Sequence, residues 1–457
     1  IVEAQEHHDT SDFDLVIADE AHRCAGKVSN AFGCVLDENK IKSNKRLFFT
    51  ATPRILSKQI KTKSLDMDFE VASMDDHSVF GEVLYELKFS EAIKRDLLSD
   101  YQVVVIGVDD AMIKQKIVNR ELIKVDNETI LDADTIASQI AITKAIKDYD
   151  LNRIITFHSR IKNAKEFSNS FDQVVNHIDE SDLPSGNINC EHISGLMKTS
   201  ERNQKLYELK NLELNERRIL SNARCLSEGV DVPTLSGIAF INPKQSQIDI
   251  IQAVGRAIRK SEDKSNGTII IPLYISEQES LDEAILLSNF QKVWQIVIAL
   301  KSQDDSLMEC IDKLRIQKGS EGKITLRGEE LNKFIFDIPE KITKRFSKSI
   351  KTLLIENSSS DWFENFGKLK EYSKKNGHTI VPQKYDVSLC NWVTTQRQNF
   401  KKNKLIQERI DLLESIKFAW DQKDTWFEKY GKLKEYFKRN GHTIVPQKSG
   451  SLGAWVG

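Results

Sequence analysis

The 457 residues include only 8 prolines and 6 cysteines, and no apolar run long enough to cross a bilayer. Each scarcity excludes something. A spanning helix needs roughly 20 consecutive apolar residues, and the greasy stretches here are strand-sized or amphipathic, so no membrane segment is expected. Cys24, Cys34, Cys190, Cys225, Cys310 and Cys390 form no CxxC pair. That argues against a zinc ribbon or a disulfide framework and suits a reducing, cytoplasmic setting. With 40 % hydrophobic and 29 % charged residues, the chain reads as globular rather than disordered.

The length suggests about three domains. The chain opens on Ile1 rather than methionine and stops at Gly457 inside a repeated pattern, so both ends are expected to be cuts in a longer protein. Net charge is −2 overall, yet residues 361–457 hold 18 Lys+Arg against 11 Asp+Glu. A basic C-terminal end points to a polyanionic partner.

From residue 13 to about 275, short Val/Ile/Leu/Phe runs alternate with amphipathic stretches: FDLVIA, KRLFFT, YQVVVIGV, RIITFH, NCEHIS, RRILSN, GIAFIN and GTIIIPLYI. Such strands separated by helices imply parallel α/β sheet covered on both faces, with ligands bound at the C-terminal strand ends. The strand and helix at 80–101 lead from one sheet to the next, placing a boundary near residue 97. Residues 280–317 have helical spacing with an acidic break, a pattern for two helices packed on the second sheet domain.

After the polar linker IENSSS (355–360) the sequence repeats itself. WFENFGKLKEYSKKNGHTIVPQK (362–384) returns 64 residues later as WFEKYGKLKEYFKRNGHTIVPQK (426–448), identical at 19 of 23 positions. Each unit should be a small helical bundle, with Asn376 and Gly377 ending its first helix and the tryptophans serving as apolar anchors.

Chemistry concentrates where FDLVIADEAHR (13–23) runs out into Asp19, Glu20 and His22. Adjacent carboxylates at the end of a buried strand repel and resist desolvation unless a cation lies near. Taken alone, Asp19 is as well explained as a helix cap. The ordered set downstream decides otherwise: TATP (50–53), FHSR (157–160), NARCLSEGVDVP (222–233) and QAVGRAIRK (252–260) each follow a strand or mark a late helix. In this order and at these places they resemble the superfamily 2 helicases and translocases of the DEAD/DEAH type. They resemble in particular the branch containing restriction-enzyme motor subunits and DEAHR repair helicases.

The resemblance implies two RecA-like parallel-sheet domains, the first incomplete, followed by small α-helical repeats: residues 1–97, 98–279, a helical extension and linker over 280–355, then 361–421 and a partial 425–457. It implies ATP and Mg²⁺ as cofactors. Asp19 would hold the metal, with Glu20 beside it as a second possible ligand and as the base orienting the attacking water. His22 would couple nucleotide state to the second domain, through Gln252. Thr50 and Thr52 would link the hydrolysis site to the nucleic-acid channel. Arg256 and Arg259, three apart and so on one helical face, would reach the phosphates as arginine fingers. Gly229 and Asp231 would contact nucleotide, and Ser227, Ser159 and Arg160 the nucleic-acid backbone.

The tail units resemble the helicase-associated domain, often found in tandem behind such motors. Lys374, Lys375, Arg397, Lys401 and Lys402 are the candidate phosphate contacts there. DNA is favoured over RNA, with restriction or repair subunits as partners. No GxxxxGK[ST] loop is present. CAGKVSN (24–30) lacks the first glycine and the hydroxyl, and follows the carboxylates instead of preceding them. The fragment alone is therefore expected not to turn over ATP. EHHD (6–9) could bind a transition metal, but adjacent histidines in a polar loop seldom converge. The alternative from another class is a non-catalytic nucleic-acid-binding scaffold that keeps the helicase fold.

Overall fold

The computed structural model describes residues 2, 11–29, 31–56, 71–109, 111–113, 124–125, 129–130, 132–223, 235–242, 246–261, 266–275, 288–324, 332–339, 352, 355–356, 358–447 and 452–456. It divides into two compact units. One comprises Ile1–Tyr101, Lys124–Thr129 and Ile142–Ile270, the other Gln102–Ile123, Ile130–Ala141 and Ile271–Gly457.

In the first unit, β1 (Val16–Ala18) pairs in parallel with β3 (Arg46–Phe48), while β2 (Gly26–Lys27) runs antiparallel to β4 (Val71–Ala72). The expectation of a buried first strand does not hold: Leu15 is 45 % and Ile17 59 % exposed. Two strands cannot cover both of their own faces, and no further strand joins this sheet among the described residues.

The principal sheet has seven strands in the order β13-β5-β12-β11-β8-β10-β9. Their ranges are β5 (Asp100–Asp109), β8 (Arg153–His158), β9 (Asn187–Ser194), β10 (Glu216–Ala223), β11 (Gly237–Asn242), β12 (Asn266–Ile275) and β13 (Phe334–Asp337). The short strands β6 (Lys124–Val125) and β7 (Thr129–Ile130) make a ladder of their own. The registers seen for β9, β10, β8, β11 and β12, and for β13 on β5, are all parallel. Val103–Ile106, Ile154, Ile155, Ile219, Leu220, Ile238 and Ile269–Ile271 are fully buried, as continuous apolar runs in a two-faced sheet should be.

The helices between these strands are α1 (Phe89–Lys94), α2 (Ala133–Asp148), α3 (Ile161–Val175), α4 (Thr199–Lys210) and α5 (Gln247–Ala257). On α3, Ala164, Phe167, Phe171 and Val174 recur at helical spacing and are buried, which fixes the face it presents. Strand order and helix placement are those of a RecA-like fold.

In the second unit, α6 (Ser288–Lys301) and α7 (Asp305–Glu321) are the helical pair read from the sequence. The acidic break between them is a cap: Asp304, fully buried, accepts from Ser306 N at 3.0 Å and Leu307 N at 3.2 Å, and its other oxygen meets Lys333 Nζ at 3.2 Å. IENSSS is not a solvated tether. Ile355 and Ser358 are buried, and Ser359 donates to Asp312 at 2.7 Å.

Helix α8 (Asp361–Asn376) crosses α7 with backbones almost touching. A Cβ on Gly319 would lie 2.0 Å from Glu364 O, and one on Gly367 2.1 Å from Ile316 O. Arg315, itself buried, pairs with Asp361 at 2.5 Å and Glu364 at 2.9 Å across that crossing. With α9 (Val387–Lys401) and α10 (Gln407–Ser415), α8 forms the expected bundle around Trp362, Phe366, Leu369, Tyr372, Val393 and Leu413. Each such side chain contributes about 1.5–3 kcal/mol by leaving water. Trp362 is an anchor, its Nε1 donating to Gln396 at 2.8 Å. Gly377 ends α8 at φ 75°, and Gly441 ends α11 (Gln422–Asn440) at φ 74°. The repeat extends to hydrogen bonds: Tyr372 Oη donates to Ile380 O at 2.9 Å, and Tyr436 Oη to Ile444 O at 3.3 Å.

Candidate functional site

Because β1 and β3 are parallel and adjacent, with Ala18 opposite Phe48, their C-terminal ends deliver two loops to one place. Phe49 N donates to Ala18 O at 2.9 Å and Ala21 N to Phe49 O at 2.8 Å, extending the pairing past the strands into both motifs. Asp19 is exposed and Glu20 half-buried. Asp19 does not cap a helix. Its Oδ1 accepts from the very next amide, Glu20 N, at 2.8 Å, and the 3-10 turn Ala21–Arg23 carries no side-chain cap.

Glu20 adopts φ 50°, ψ 43°, a left-handed conformation that costs a residue with a Cβ roughly 1–2 kcal/mol. His22 is buried and joins the two loops. Its Nδ1 lies 3.1 Å from Thr50 Oγ1 and 3.3 Å from Glu20 Oε2. The Thr50 hydroxyl donates to Thr52 O at 3.3 Å and accepts from Thr52 N at 3.2 Å. With that proton committed, the imidazole is the donor, through Nδ1–H. Burial is the main cause lowering the His22 pKa; Glu20 opposes it and Arg23 and Arg54 reinforce it. The ring is thus neutral near pH 7. Asp249, in the first turn of α5, also acts on it, so this helix lies within electrostatic reach.

Helix α5 starts at Ser246, which caps Asp249 N, and carries Gln252 and Arg256. Both amide atoms of Gln252 are buried without a hydrogen-bond partner, as is Thr52 Oγ1. Buried polar atoms left unpaired cost about 1–3 kcal/mol each. Arg256 is buried, but Arg259 is not its helical neighbour. The helix ends at Ala257, and Arg259 lies exposed beyond it, bridging antiparallel to Leu98. The shared face expected from the three-residue spacing is therefore not formed.

Of the other candidates, Ser159 is half-buried and Arg160 exposed at the start of α3. Ser227, Gly229 and Asp231 lie outside the described residues, as do His7 and His8 of the EHHD stretch. Gly26 and Lys27 of CAGKVSN form strand β2 under the Arg54 guanidinium, not a phosphate loop. In the tail, Lys374, Lys401 and Lys402 are exposed, and Lys375 pairs with Glu371 at 3.4 Å. Arg397 differs from these lysines: it donates to Ala419 O at 2.8 Å and lies 5.3 Å from the Phe418 ring centroid, so its side chain packs within the bundle. His158, in FHSR, is a buried residue that the motif reading passed over. Its Nε2 is 3.0 Å from Thr156 Oγ1 and 2.9 Å from Ser221 Oγ, and burial lowers its pKa to about 3.

Among the described residues no cluster of three or more His, Cys, Asp or Glu could hold a metal, no helix is long and apolar enough to cross a membrane, and the five cysteines are free. Two adjacent carboxylates are nonetheless the donor set suited to Mg²⁺, which binds one or two protein carboxylates and otherwise substrate phosphates and water. Asp19 and Glu20 fit that pattern.

The motifs at these strand ends are similar to those of helicases. Three family models match in the order of the motifs: "Type III restriction enzyme, res subunit" over residues 2–55, "Helicase conserved C-terminal domain" over 139–261, and "Helicase associated domain" over 359–421. The solved structure of the ATP-dependent Type ISP restriction-modification enzyme LlaBIII bound to DNA is 27 % identical with a TM-score of 0.62, covering 93 % of this chain and 31 % of that one. The "Probable helicase A859L" of African swine fever virus is 28 % identical over 301 residues, 65 % of this chain and 30 % of the viral protein. The "Putative ATP-dependent helicase IRC3" of Saccharomyces cerevisiae is 23 % identical over 267 residues, 58 % of this chain and 34 % of the yeast protein. The chain thus spans about a third of the length of these relatives.

Proposed function

We propose that residues 1–457 are the motor part of an ATP-dependent helicase or translocase that acts on nucleic acid, DNA in preference to RNA, in the cytoplasm. The observation that carries this reading is the His22 bridge: one neutral imidazole tied to Glu20 of the first motif and Thr50 of the next, at adjacent parallel strand ends. The LlaBIII likeness and the basic tail favour DNA. Restriction or repair subunits are the partners this reading anticipates.

ATP and Mg²⁺ would be held by Asp19 and Glu20, the cation supplying charge neutralisation at the γ-phosphate. Glu20 orients the attacking water and accepts its proton. Its backbone strain and its contact with His22 keep the carboxylate in one place. Arg256 stabilises the charge spreading over the transferred group, and the buried Gln252 amide and Thr52 hydroxyl find partners on closure. Thr50, through His22, passes a change at Glu20 to the TATP loop. Ser227, Gly229 and Asp231 are assigned the nucleotide and backbone contacts of their motif, Ser159 and Arg160 further strand contacts, and the lysines of the tail the track. The phosphate-cradling loop this chemistry needs is not among these 457 residues and would have to come from elsewhere in the parent protein. The test is ATP turnover by that parent protein with single-stranded DNA, duplex DNA or RNA. Stimulation by DNA supports the reading, and turnover indifferent to all three would remove the motor assignment.

A further inference from the structure

Between the first motifs and β5 the chain changes from loose to tightly held within a few residues. Residues 81–87 have no regular structure and are all exposed, with Val83 at 75 % and Leu84 at 80 %. Gly81 has φ +76°. From Phe89 onward buried anchors appear, while Lys94–Leu97 stay exposed. Ser90, Ala92 and Ser99 are buried, and Phe89 Cζ stands 4.0 Å from where a Cβ on Gly255 of α5 would sit.

After α1 the chain reverses through Asp96, which takes a left-handed φ of 58°, and Leu97 N returns to Ala92 O at 2.9 Å. The reversal aims residues 97–99 antiparallel to the end of α5. Leu98 bridges Arg259, Ser99 N donates to Ile258 O at 2.8 Å, and Lys260 pairs with the Asp96 carboxylate. The last carbonyls of a helix lack intrahelical donors, and Ser99 N–H supplies one to Ile258. The Lys260–Asp96 pair is largely exposed and adds little. The backbone bonds and the Phe89 contact do the holding.

We propose that Phe89–Ser99 is a strap that moves as one body with α5 and positions Arg256 toward the phosphates, and that the chain pivots at residues 81–87, between the Asp19–Thr52 loops and α5, instead of near residue 97. The role of the strap in catalysis rests on the reading of Arg256 given above; its attachment to α5 does not. Asp96, Leu98 and Ser99 are positioning residues, since they act on Arg256 through the helix end. In this arrangement closure bends a segment with almost no packing to lose, and the arginine arrives with its helix already capped.

Two measurements test this. In hydrogen exchange on the whole chain, the Ser99 amide should exchange within about ten-fold of the amides inside α5 and at least ~100-fold more slowly than those of 83–87. A Ser99 amide as fast as 83–87 overturns the strap. The second is a disulfide between Leu97→Cys and Lys260→Cys, which face each other one step along the antiparallel register from Leu98 and Arg259. In the ATP-hydrolysing parent protein it should leave turnover within about two-fold, because strap and helix keep their contact in every state. A loss of about ten-fold or more that a reductant restores would place the strap on the other side of the pivot and overturn the proposal. If the parent protein turns over no ATP even without the crosslink, the motor reading fails, and the exchange result alone decides whether the strap exists.

Discussion

Gly367 and Gly431 occupy equivalent places in the repeat, in FGKLKEY and YGKLKEY, yet their surroundings are opposite. A Cβ on Gly367 would meet Ile316 O at 2.1 Å, whereas one on Gly431 would have nothing within 4 Å. Ordinary contact to a carbonyl begins at 3.4 Å, so Gly367→Ala must open the α7–α8 crossing by more than an ångström. Overpacking of that kind costs typically about 1–3 kcal/mol. Replacing glycine by alanine inside a helix returns up to about 1 kcal/mol, and that gain is common to both sites. Gly431→Ala should therefore stabilise by up to ~1 kcal/mol, and Gly367→Ala should sit about 1–3 kcal/mol below it. Urea denaturation followed by tryptophan fluorescence reads the difference as a shift in midpoint at unchanged slope. Equal shifts of the same sign would show that the two helices do not meet at these glycines.

Three further outcomes follow from other parts of the structure. His158 keeps a pKa of about 3 when folded against an ordinary 6.5, so the unfolded chain binds the extra proton between those values. Stability from this group is complete above pH 6.5 and falls as the pH drops, by about 1.4 kcal/mol per unit. His158→Gln should flatten the acid limb of a stability profile, and an unchanged slope would mean the ring is not buried as described. Lys401→Ala with Lys402→Ala should weaken nucleic-acid binding regardless of sequence and lower the slope of its salt dependence by about one for each phosphate left without its lysine. Arg397→Ala should instead lower the bundle's stability, and a purely salt-dependent binding defect would restore it as a phosphate contact.

Much of the architecture was legible because local signals agreed with one another. All eight apolar runs became strands, Asp304 capped the second helix of its pair, and Gly377 and Gly441 ended theirs. The candidate site was legible as a set of motifs at strand ends, since parallel pairing of β1 and β3 brings Asp19–His22 and Thr50–Thr52 together. What the sequence hid were consequences of tertiary contact. Helical spacing in QAVGRAIRK runs on to Arg259, but the chain leaves the helix after Ala257 to bridge Leu98, and no Gly or Pro follows Ala257 to announce it. Arg397 looked like its lysine neighbours because charge alone does not reveal a stack on Phe418. Strand β13 is only four residues long and pairs with β5 more than 200 positions away, beyond the reach of local periodicity. The left-handed backbone of Glu20 has no sequence signal, since glutamate is not a residue that favours it.

If Glu20 performs the chemistry and Arg256 assists it from the opposing helix, the most direct test is single-turnover ATP hydrolysis on DNA by the parent protein carrying Glu20→Gln, with Arg256→Ala alongside. Nucleotide binding should be retained in the first, and hydrolysis should fall by about 10³-fold or more in each. Hydrolysis at the unmodified rate with Glu20→Gln would contradict the role assigned to that carboxylate.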